Sequence, residues 1–245
     1  MAEFCIEIAG HVAAVKSVFD STKDYCGHYL TQKMPEFSVE VTRQDMEWEQ
    51  RFAYEEALEE GFRPRVFTDP FLDRAVIQRK IAEHLLDQGV LLIHGSAVAV
   101  DGEGYLFTAK SGTGKSTHTR FWMQTFGDRA VMVNDDKPFL RFEEDKILLC
   151  GAPWSGKHGL HSNVTVPLRG ICLLERGSEN QICRITQEEL LPRLLHESCA
   201  PLDSQKQFRF EQLVTELARR VPLWKMHCTK DPAAARIAFA AMKNP

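Results

Sequence analysis

The chain has 245 residues, 44% of them hydrophobic and 26% charged, which is enough to bury a full core as one large domain or two small ones. Its net charge of −4 at pH 7 argues against a dedicated nucleic-acid-binding protein, which would carry a basic stripe, and no apolar run approaches the ~18 residues of a membrane span. Seven cysteines without a CxxC pair indicate reduced thiols rather than a zinc site or a disulfide framework. Together with an N-terminus that lacks the features of a signal peptide, this predicts a cytoplasmic protein.

Apolar patterns predict two strands and two helices in the first 70 residues. In chain order these are a strand at 3–8, a helix from Ser21 to Leu30, a strand at 37–41 and an acidic helix at 42–60 that ends at Gly61. We interpret residues 1–70 as an α+β extension that packs on the rest of the chain.

From residue 71 the pattern becomes that of a mixed α/β domain, opening with a helix from Phe71 to Leu86 that carries a stripe of apolar residues. The strands predicted after it lie at 90–93, 96–100, 105–108, 130–133, 138–142, 146–150, 170–175, 181–185 and 223–226. Further helices are predicted at 118–126, 204–221 and 231–242, and a loop rich in Gly and His at 151–163. We predict a catalytic domain over 71–245, with one continuous domain as the alternative.

A glycine-rich stretch, AKSGTGKST at residues 109–117, follows a predicted strand and precedes a helix, which is the setting of a phosphate-binding P-loop. Its glycines allow successive backbone N–H groups to point at phosphate oxygens, and the helix N-terminus adds positive potential. The strict pattern has Gly where this chain has Ala109, a residue small enough for the turn. We predict that Lys115 reaches the β- and γ-phosphates and that the Ser116 hydroxyl binds Mg²⁺. The residues predicted to bind the nucleotide are Ser111, Gly112, Thr113, Gly114, Lys115, Ser116 and Thr117.

Two adjacent carboxylates, Asp135 and Asp136, end the strand predicted after the P-loop helix. A strand–loop–helix–strand unit of this length brings the end of the second strand beside the loop. We predict that Asp135 holds Mg²⁺, because this cation prefers oxygen ligands, and that Asp136 accepts a proton from an attacking hydroxyl. Successive side chains of a strand point to opposite faces, so both roles require the chain to turn at Asp135. The alternative is that one carboxylate only caps the turn.

Three motifs together, His94-Gly95, the P-loop and Val133-Asn134-Asp135-Asp136, resemble the catalytic domain of HPr kinase/phosphorylase and its small stand-alone relatives. ATP-dependent phosphoenolpyruvate carboxykinases share a similar nucleotide site. The resemblance is good over 90–150, weak to about residue 177 and hardly present in the first 70 residues. It implies a mixed α/β sheet with a P-loop, flanked by helices, of the type found in the HPr kinase C-terminal domain and these carboxykinases.

The same resemblance implies catalytic roles for Asp136 as base, His94 as its neighbour and Lys115 at the phosphates, with ATP and Mg²⁺ as cofactors. Considered without the resemblance, His94 is a hydrogen-bonded histidine in a turn. The HPr kinases carry a later signature with Glu before an Arg-Gly pair, of which this chain keeps only Arg169-Gly170. The identity of the phosphate acceptor therefore stays open.

The loop at 151–163 is the candidate for substrate binding, because its glycines allow the backbone to approach a ligand. It offers an aromatic ring for stacking and a positive charge for phosphate or an acidic substrate. The residues predicted to contact substrate are Trp154, Lys157, His158 and Arg169. Arg176, at the other end of the same predicted strand as Arg169, is a second candidate to reach phosphate. The alternative is an exposed loop with incidental polar residues and two arginines in surface salt bridges.

The first functional hypothesis is an ATP- and Mg²⁺-dependent kinase that phosphorylates a hydroxyl of a peptide, a protein or a small molecule. The second is a nucleotide-binding regulatory module, in which ATP reshapes the 151–163 loop for a partner without phosphate transfer. A third, carboxykinase-like chemistry on phosphoenolpyruvate, is disfavoured because those enzymes are roughly twice this length. We expect neither nucleic acid nor membrane as a partner, and a homo-oligomer is compatible with the sequence.

Overall fold

The computed structural model describes residues 1–59, 61–156 and 158–244. Its internal contacts divide the chain into two compact units, Met1–His84 and Leu85–Pro245. The boundary between the units lies at the C-terminal end of the long helix that the sequence analysis placed at the start of the catalytic domain. That helix therefore groups with the N-terminal unit.

A small sheet forms the centre of the N-terminal unit, in the order β1-β2-β3. Strands β1 (Ala2–Ile8) and β2 (His11–Ser17) make an antiparallel hairpin, and β3 (Phe37–Glu40) runs parallel to β2. The hairpin turn at Ala9-Gly10 has positive φ at both residues, the backbone that matches the twist of tightly connected strands. The sequence prediction missed β2, whose apolar residues Val12 to Val15 are consecutive rather than alternating.

The helices of this unit are α1 (Asp20–Tyr25), α2 (Arg43–Glu59) and α3 (Asp69–Leu85). Helix α1 is shorter than the predicted helix at 21–30, because the chain tightens into a 3₁₀ turn at Gly27–Tyr29. On α3, the buried carboxylate of Asp73 accepts hydrogen bonds from the Ser17 hydroxyl (2.6 Å) and the Thr22 hydroxyl (2.5 Å). A buried carboxylate needs such donors, so Asp73 has a structural role that joins α3 to β2 and α1.

The C-terminal unit is built on a mixed sheet covered by helices. Its strands are β4 (Val90–Leu92), β5 (Ser96–Val100), β6 (Glu103–Thr108), β7 (Ala130–Asn134), β8 (Phe139–Phe142), β9 (Ile147–Cys150), β10 (Thr165–Arg176), β11 (Gln181–Arg184) and β12 (Leu223–Cys228). Its helices are α4 (Lys115–Phe126), α5 (Gln187–Glu197), α6 (Gln207–Arg220) and α7 (Ala233–Met242).

The strand order is β4-β8-β9-β10-β6-β5-β7, with β12 beside β10 and β11 beside β12. Strand β10 runs parallel to β6 and to β12, and the other pairs in this sheet are antiparallel. This confirms the predicted mixed α/β class. Strand β10 begins at Thr165, earlier than predicted, because its first residues pair with β9 before the strand turns to β6.

Helices cover both faces of the sheet, as the alternation of side chains along β6 shows. Leu106 packs with α5 and α6, in a cluster that includes Phe210. Tyr105 and Phe107 point the other way and pack with α4 and α7 around Trp122. The P-loop, which follows β6, is therefore held by a strand that is packed on both faces.

Helix α5 was absent from the sequence prediction, although it carries a readable start signal. Thr186 and Glu189 form a capping box, in which each side chain bonds the backbone of the other. Pro192, a residue type that disfavours helix interiors, lies inside it. No helix among the described residues has the length and apolar character needed to span a membrane.

Candidate functional site

The P-loop connects the end of β6 to the first turn of α4. Gly112 and Gly114 have φ values of 75° and 123°, which L side chains rarely adopt, so the backbone requires glycine at both positions. Helix α4 begins at Lys115 rather than at His118, with Gly114 as its N-cap, and no described side chain caps this end. The first N–H groups and the positive end of the helix dipole therefore face the loop, an arrangement that binds phosphate.

Two cationic side chains donate hydrogen bonds to carbonyl groups of this loop. Nζ of Lys115 lies 2.9 Å from the backbone oxygen of Ala109, and Nη2 of Arg176 lies 2.7 Å from that of Gly112. Ala109 is fully buried, which explains why a small residue stands there. Arg176 ends β10 at the same sheet edge as the loop, because β10 and β6 are parallel. Both cations thus contact the backbone of this loop directly.

A chain of hydrogen bonds connects Asp135 to the P-loop helix. Oδ1 of Asp135 accepts a hydrogen bond from Oγ of Ser96 at 2.8 Å, and that oxygen is 2.7 Å from Oγ1 of Thr119. Because Ser96 gives its only proton to Asp135, the Thr119 hydroxyl donates to Ser96, and Thr119 lies on α4 with its Oγ1 3.4 Å from the backbone oxygen of Ser116. Asp135 is only 4% exposed, and within the described residues no hydrogen bond reaches its Oδ2. The geometry holds this carboxylate beside the helix turn that carries Ser116.

The chain turns at the two aspartates, and the buried side chain of Asn134 holds that turn. Its Oδ1 accepts the backbone N–H groups of Asp136 (2.8 Å) and Lys137 (2.7 Å). Its Nδ2 donates to the backbone oxygens of Ala152 (2.8 Å) and Trp154 (3.1 Å). The turn gives the aspartates different surroundings, since Asp135 is buried and the side chain of Asp136 is 35% exposed. The sequence prediction required this turn but gave Asn134 no role.

The loop at 151–163 lies against the two aspartates. The backbone N–H of Asp135 donates to the carbonyl of Leu160 at 3.0 Å. A Cβ atom placed on Gly156 would lie 3.6 Å from Cβ of Asp136, which is ordinary contact distance. The loop is therefore positioned to contact a molecule that approaches Asp136.

The residues of this loop that were predicted to contact substrate differ in how exposed they are. Trp154 is 6% exposed and packs edge-on to Phe139, so the predicted stacking surface is not present: the ring fills the core instead. His158 is exposed on the loop. The other residue predicted to contact substrate, Lys157, lies outside the described residues.

Arg169 lies away from the P-loop. Its Nε is 2.7 Å from Oε2 of Glu103, which is the first residue of β6. The P-loop follows the opposite end of that strand, so the two predicted arginines are at opposite sheet edges. Arg169 makes the surface ion pair that was its alternative interpretation, whereas Arg176 reaches the loop.

His94 lies between two carboxylates. Its Nε2 is 3.5 Å from Oδ1 of Asp136, and its Nδ1 is 2.9 Å from Oε2 of Glu197. Burial alone would raise the pKa of Glu197. The hydrogen bond and charge of His94, the charge of Lys115 and a hydrogen bond from Arg193 outweigh that effect and hold this pKa below its ordinary value. Glu197 was absent from the predicted site.

The residues at the P-loop fit a magnesium ion held together with nucleotide phosphates. Mg²⁺ in such sites takes one or two carboxylates, phosphate oxygens and water rather than a cage of protein ligands. Asp135 offers a buried carboxylate whose Oδ2 accepts no hydrogen bond from the described residues. Ser116 offers a hydroxyl at the start of α4, the helix whose Thr119 is hydrogen-bonded to Ser96 and through it linked to Asp135. The described residues contain no cluster of three or more His, Cys, Asp and Glu that would hold a metal alone.

Comparison with known proteins leaves the family open. No protein family model matches the chain, and no curated protein matches it. Among solved structures, the chain is similar to the Hpr(Ser) kinase/phosphatase from Coxiella burnetii, with 12% sequence identity and a TM-score of 0.36 over 62% of this chain and 92% of that one. This likeness is too weak to establish a common fold or activity.

Proposed function

We propose that this chain is an ATP- and Mg²⁺-dependent kinase that transfers the γ-phosphate of ATP to a hydroxyl group. The observation that carries the proposal is the pair Asp135 and Asp136, whose carboxylates have unlike surroundings beside a P-loop. One is buried and connected by hydrogen bonds through Ser96 to Thr119 of the P-loop helix, and the other is partly exposed next to His94. A metal ligand and a general base are the two roles that such a difference serves.

Nucleotide binding is assigned to the P-loop. Its backbone N–H groups and the start of α4 face the bound phosphates. The ammonium group of Lys115, which donates to the Ala109 carbonyl in this structure, donates to the β- and γ-phosphates instead when nucleotide is bound. Thr113 and Thr117 flank this turn with side chains that are partly exposed. When bound, Mg²⁺ would be held by Ser116 and Asp135 and would supply positive charge that neutralises the charge developing on the phosphates.

In the transfer step, Asp136 takes the proton of the acceptor hydroxyl. The hydroxyl oxygen forms a bond to the γ-phosphorus, and the bond between that phosphorus and the β,γ-bridging oxygen breaks, so ADP leaves. Lys115 and the loop amides stabilise the charge that develops on the phosphoryl oxygens. Only a phosphotransferase needs a proton acceptor at the position of Asp136.

The acceptor is proposed to be a small molecule or a peptide or protein side chain that carries a hydroxyl. It would enter over the 151–163 loop, where Gly156 leaves space beside Asp136 and His158 is exposed. Trp154 is excluded from direct stacking because it is buried.

The experiment measures transfer of ³²P from γ-labelled ATP with Mg²⁺ to free hydroxy metabolites, serine-containing peptides and a host extract. Wild type is compared with Asp136→Asn, which removes the base, and with Lys115→Ala, which removes the phosphate contact. Asp145→Asn is the matched control, because it removes the same charge from an exposed turn. Calorimetric titration with ATP runs in parallel on every variant.

We expect Asp136→Asn to bind ATP like wild type and to lose roughly 10²- to 10⁴-fold in transfer rate, the range of general-base catalysis. Lys115→Ala should lose ATP binding, and Asp145→Asn should retain both properties. If Asp136→Asn transfers phosphate as fast as wild type, the kinase mechanism is wrong. Tight ATP binding by wild type with no transfer to any acceptor would favour the regulatory module.

A further inference from the structure

A buried carboxylate from the end of α5 enters the site, and the transfer step above makes no use of it. Glu197 is the last residue of α5, and its side chain is 3% exposed. An ionised carboxylate is costly to bury unless charged or hydrogen-bonded partners compensate. Its partners are His94, Arg193 and His196, with the charge of Lys115 nearby.

The backbone fixes Glu197 directly opposite His94. The N–H of His94 donates to the carbonyl of Glu197 at 2.7 Å, and the N–H of Cys199 donates to the carbonyl of Leu92 at 3.0 Å. Ile93 and Ser198 form the antiparallel bridge between these two bonds. The contact between the His94 ring and the Glu197 carboxylate is therefore set by paired main chain.

This geometry determines which ring nitrogen of His94 carries the proton. An ionised carboxylate only accepts hydrogen bonds, so at 2.9 Å from Glu197 the Nδ1 atom must be protonated. The low pKa of Glu197 keeps its carboxylate ionised at neutral pH. In the neutral ring Nε2 is then the proton acceptor, and it faces Asp136 at 3.5 Å.

We infer that Glu197 is a positioning residue that holds His94 in the Nδ1–H form, and that His94 relays onward the proton that Asp136 takes from the acceptor hydroxyl. This inference rests on the proposed kinase function. After transfer, the protonated Asp136 gives its proton to Nε2 of His94, which becomes an imidazolium between two carboxylates. Asp136 is again a carboxylate, and His94, whose side chain is 34% exposed, releases the proton to water.

The first test is spectroscopic and does not depend on turnover. The whole chain is labelled with ¹⁵N-histidine, and two-bond ¹H–¹⁵N correlation spectra report which nitrogen of each ring is protonated, with His94→Gln identifying the signals of His94. Wild type is compared with Glu197→Gln, which keeps an acceptor oxygen, and Glu197→Leu, which removes it. Glu188→Gln removes a charge from the exposed side of the same helix and is the matched control.

We expect wild type, Glu188→Gln and part of Glu197→Gln to show the Nδ1–H form of His94, and Glu197→Leu to lose it. In the ³²P assay Glu197→Leu should lower kcat roughly 10²-fold, since it disables one proton-transfer partner, while KM for ATP stays the same. Glu197→Gln should recover part of that loss. Circular dichroism and the melting temperature establish that each variant is folded, and Glu197→Gln serves as the test if Glu197→Leu is not.

Three results would overturn the inference. The first is an Nε2–H form of His94 in wild type, and the second is a doubly protonated ring at the assay pH, since in both cases Nε2 could not accept a proton. The third is an unchanged kcat in folded Glu197 variants. If wild type transfers no phosphate at all, the kinase function and the relay fail together, while the spectra still decide whether Glu197 positions His94.

Discussion

The side-chain oxygen of Asn134 accepts the backbone N–H of Asp136 at 2.8 Å, so the position of the proposed base depends on a buried amide two residues earlier. The same amide donates to the carbonyls of Ala152 and Trp154 on the neighbouring loop. One side chain thus connects the turn of the two aspartates to the loop proposed to bind the acceptor. Both the shape of the site and the stability of this sheet edge should respond to its removal.

Asn134→Ala should destabilise the chain by about 2–4 kcal/mol, because four backbone groups lose their partner in a buried setting. For a protein of this size that corresponds to a fall in melting temperature of roughly 2–4 °C per kcal/mol. Asn134→Asp keeps the acceptor oxygen for the turn but places a carboxylate beside two carbonyls, so it should also destabilise the chain. Calorimetry of both variants measures the effect, and a wild-type melting temperature for Asn134→Ala would contradict it.

Ser96→Ala should weaken the response to Mg²⁺. Ser96 donates to Asp135 at 2.8 Å, and residues that orient a metal ligand typically contribute 10- to 100-fold to metal affinity. We therefore expect the Mg²⁺ concentration for half-maximal ATP turnover to rise about tenfold, and the melting temperature to fall because a buried carboxylate loses a donor.

Thr119→Val provides the graded control for that variant. It removes the hydroxyl that lies 2.7 Å from Ser96 Oγ and leaves the bond from Ser96 to Asp135 in place. Its effect on the Mg²⁺ requirement should be smaller than that of Ser96→Ala. An equal or larger effect would mean that α4, rather than the orientation of Asp135, controls the response.

Stability should fall on acidification because of His118 on α4. Burial lowers the pKa of its imidazole to about 4, below the usual 6.5, and its Nε2 accepts a hydrogen bond from Trp122 Nε1 at 3.0 Å. Between pH 6.5 and about 4 the unfolded state takes up a proton that the folded state does not, so the folded state loses stability as pH falls through this window. The loss between pH 7 and pH 5 is about 2 kcal/mol.

Urea denaturation of His118→Gln checks this expectation, since the amide oxygen of Gln can accept from Trp122 without binding a proton. The variant should be less stable than wild type at pH 7, but the difference should shrink towards pH 5. If the two proteins lose the same stability over that range, His118 does not contribute to the acid sensitivity.

The sequence predicted those parts of the site that depend on local chemistry. The loop needs glycine at 112 and 114 because φ is positive there, so residues that are adjacent in the sequence are enough to predict it. The same is true of the Asp135-Asp136 turn. Glu197 could not be predicted, because it reaches His94 through backbone pairing between segments far apart in the chain. For Trp154 the residue type was compatible with either a stacking surface or a core position, and only the packing against Phe139 decides for the core.

Two arginines of β10 offer a further test, because they lie near opposite ends of β6, one at the P-loop and one at the start of the strand. Arg176 donates to the Gly112 carbonyl of the P-loop at 2.7 Å, and Arg169 pairs with Glu103 at the far end of β6. We expect Arg176→Ala to weaken ATP binding roughly five- to tenfold, the effect of losing one charge-assisted hydrogen bond at an exposed position. Arg176→Lys should recover part of the affinity, because it keeps the charge and a single donor.

Arg169→Ala removes the same side chain from the same strand and should leave ATP affinity within twofold of wild type, because an exposed ion pair contributes little. Calorimetric titration of the three variants with ATP in the presence of Mg²⁺ measures the difference. Equal losses in Arg176→Ala and Arg169→Ala would show that net positive charge, rather than contact with the P-loop, governs nucleotide affinity. A loss confined to Arg169→Ala would mean that phosphate binds at the opposite edge of the sheet, and the assignment of the nucleotide site to residues 109–117 would be wrong.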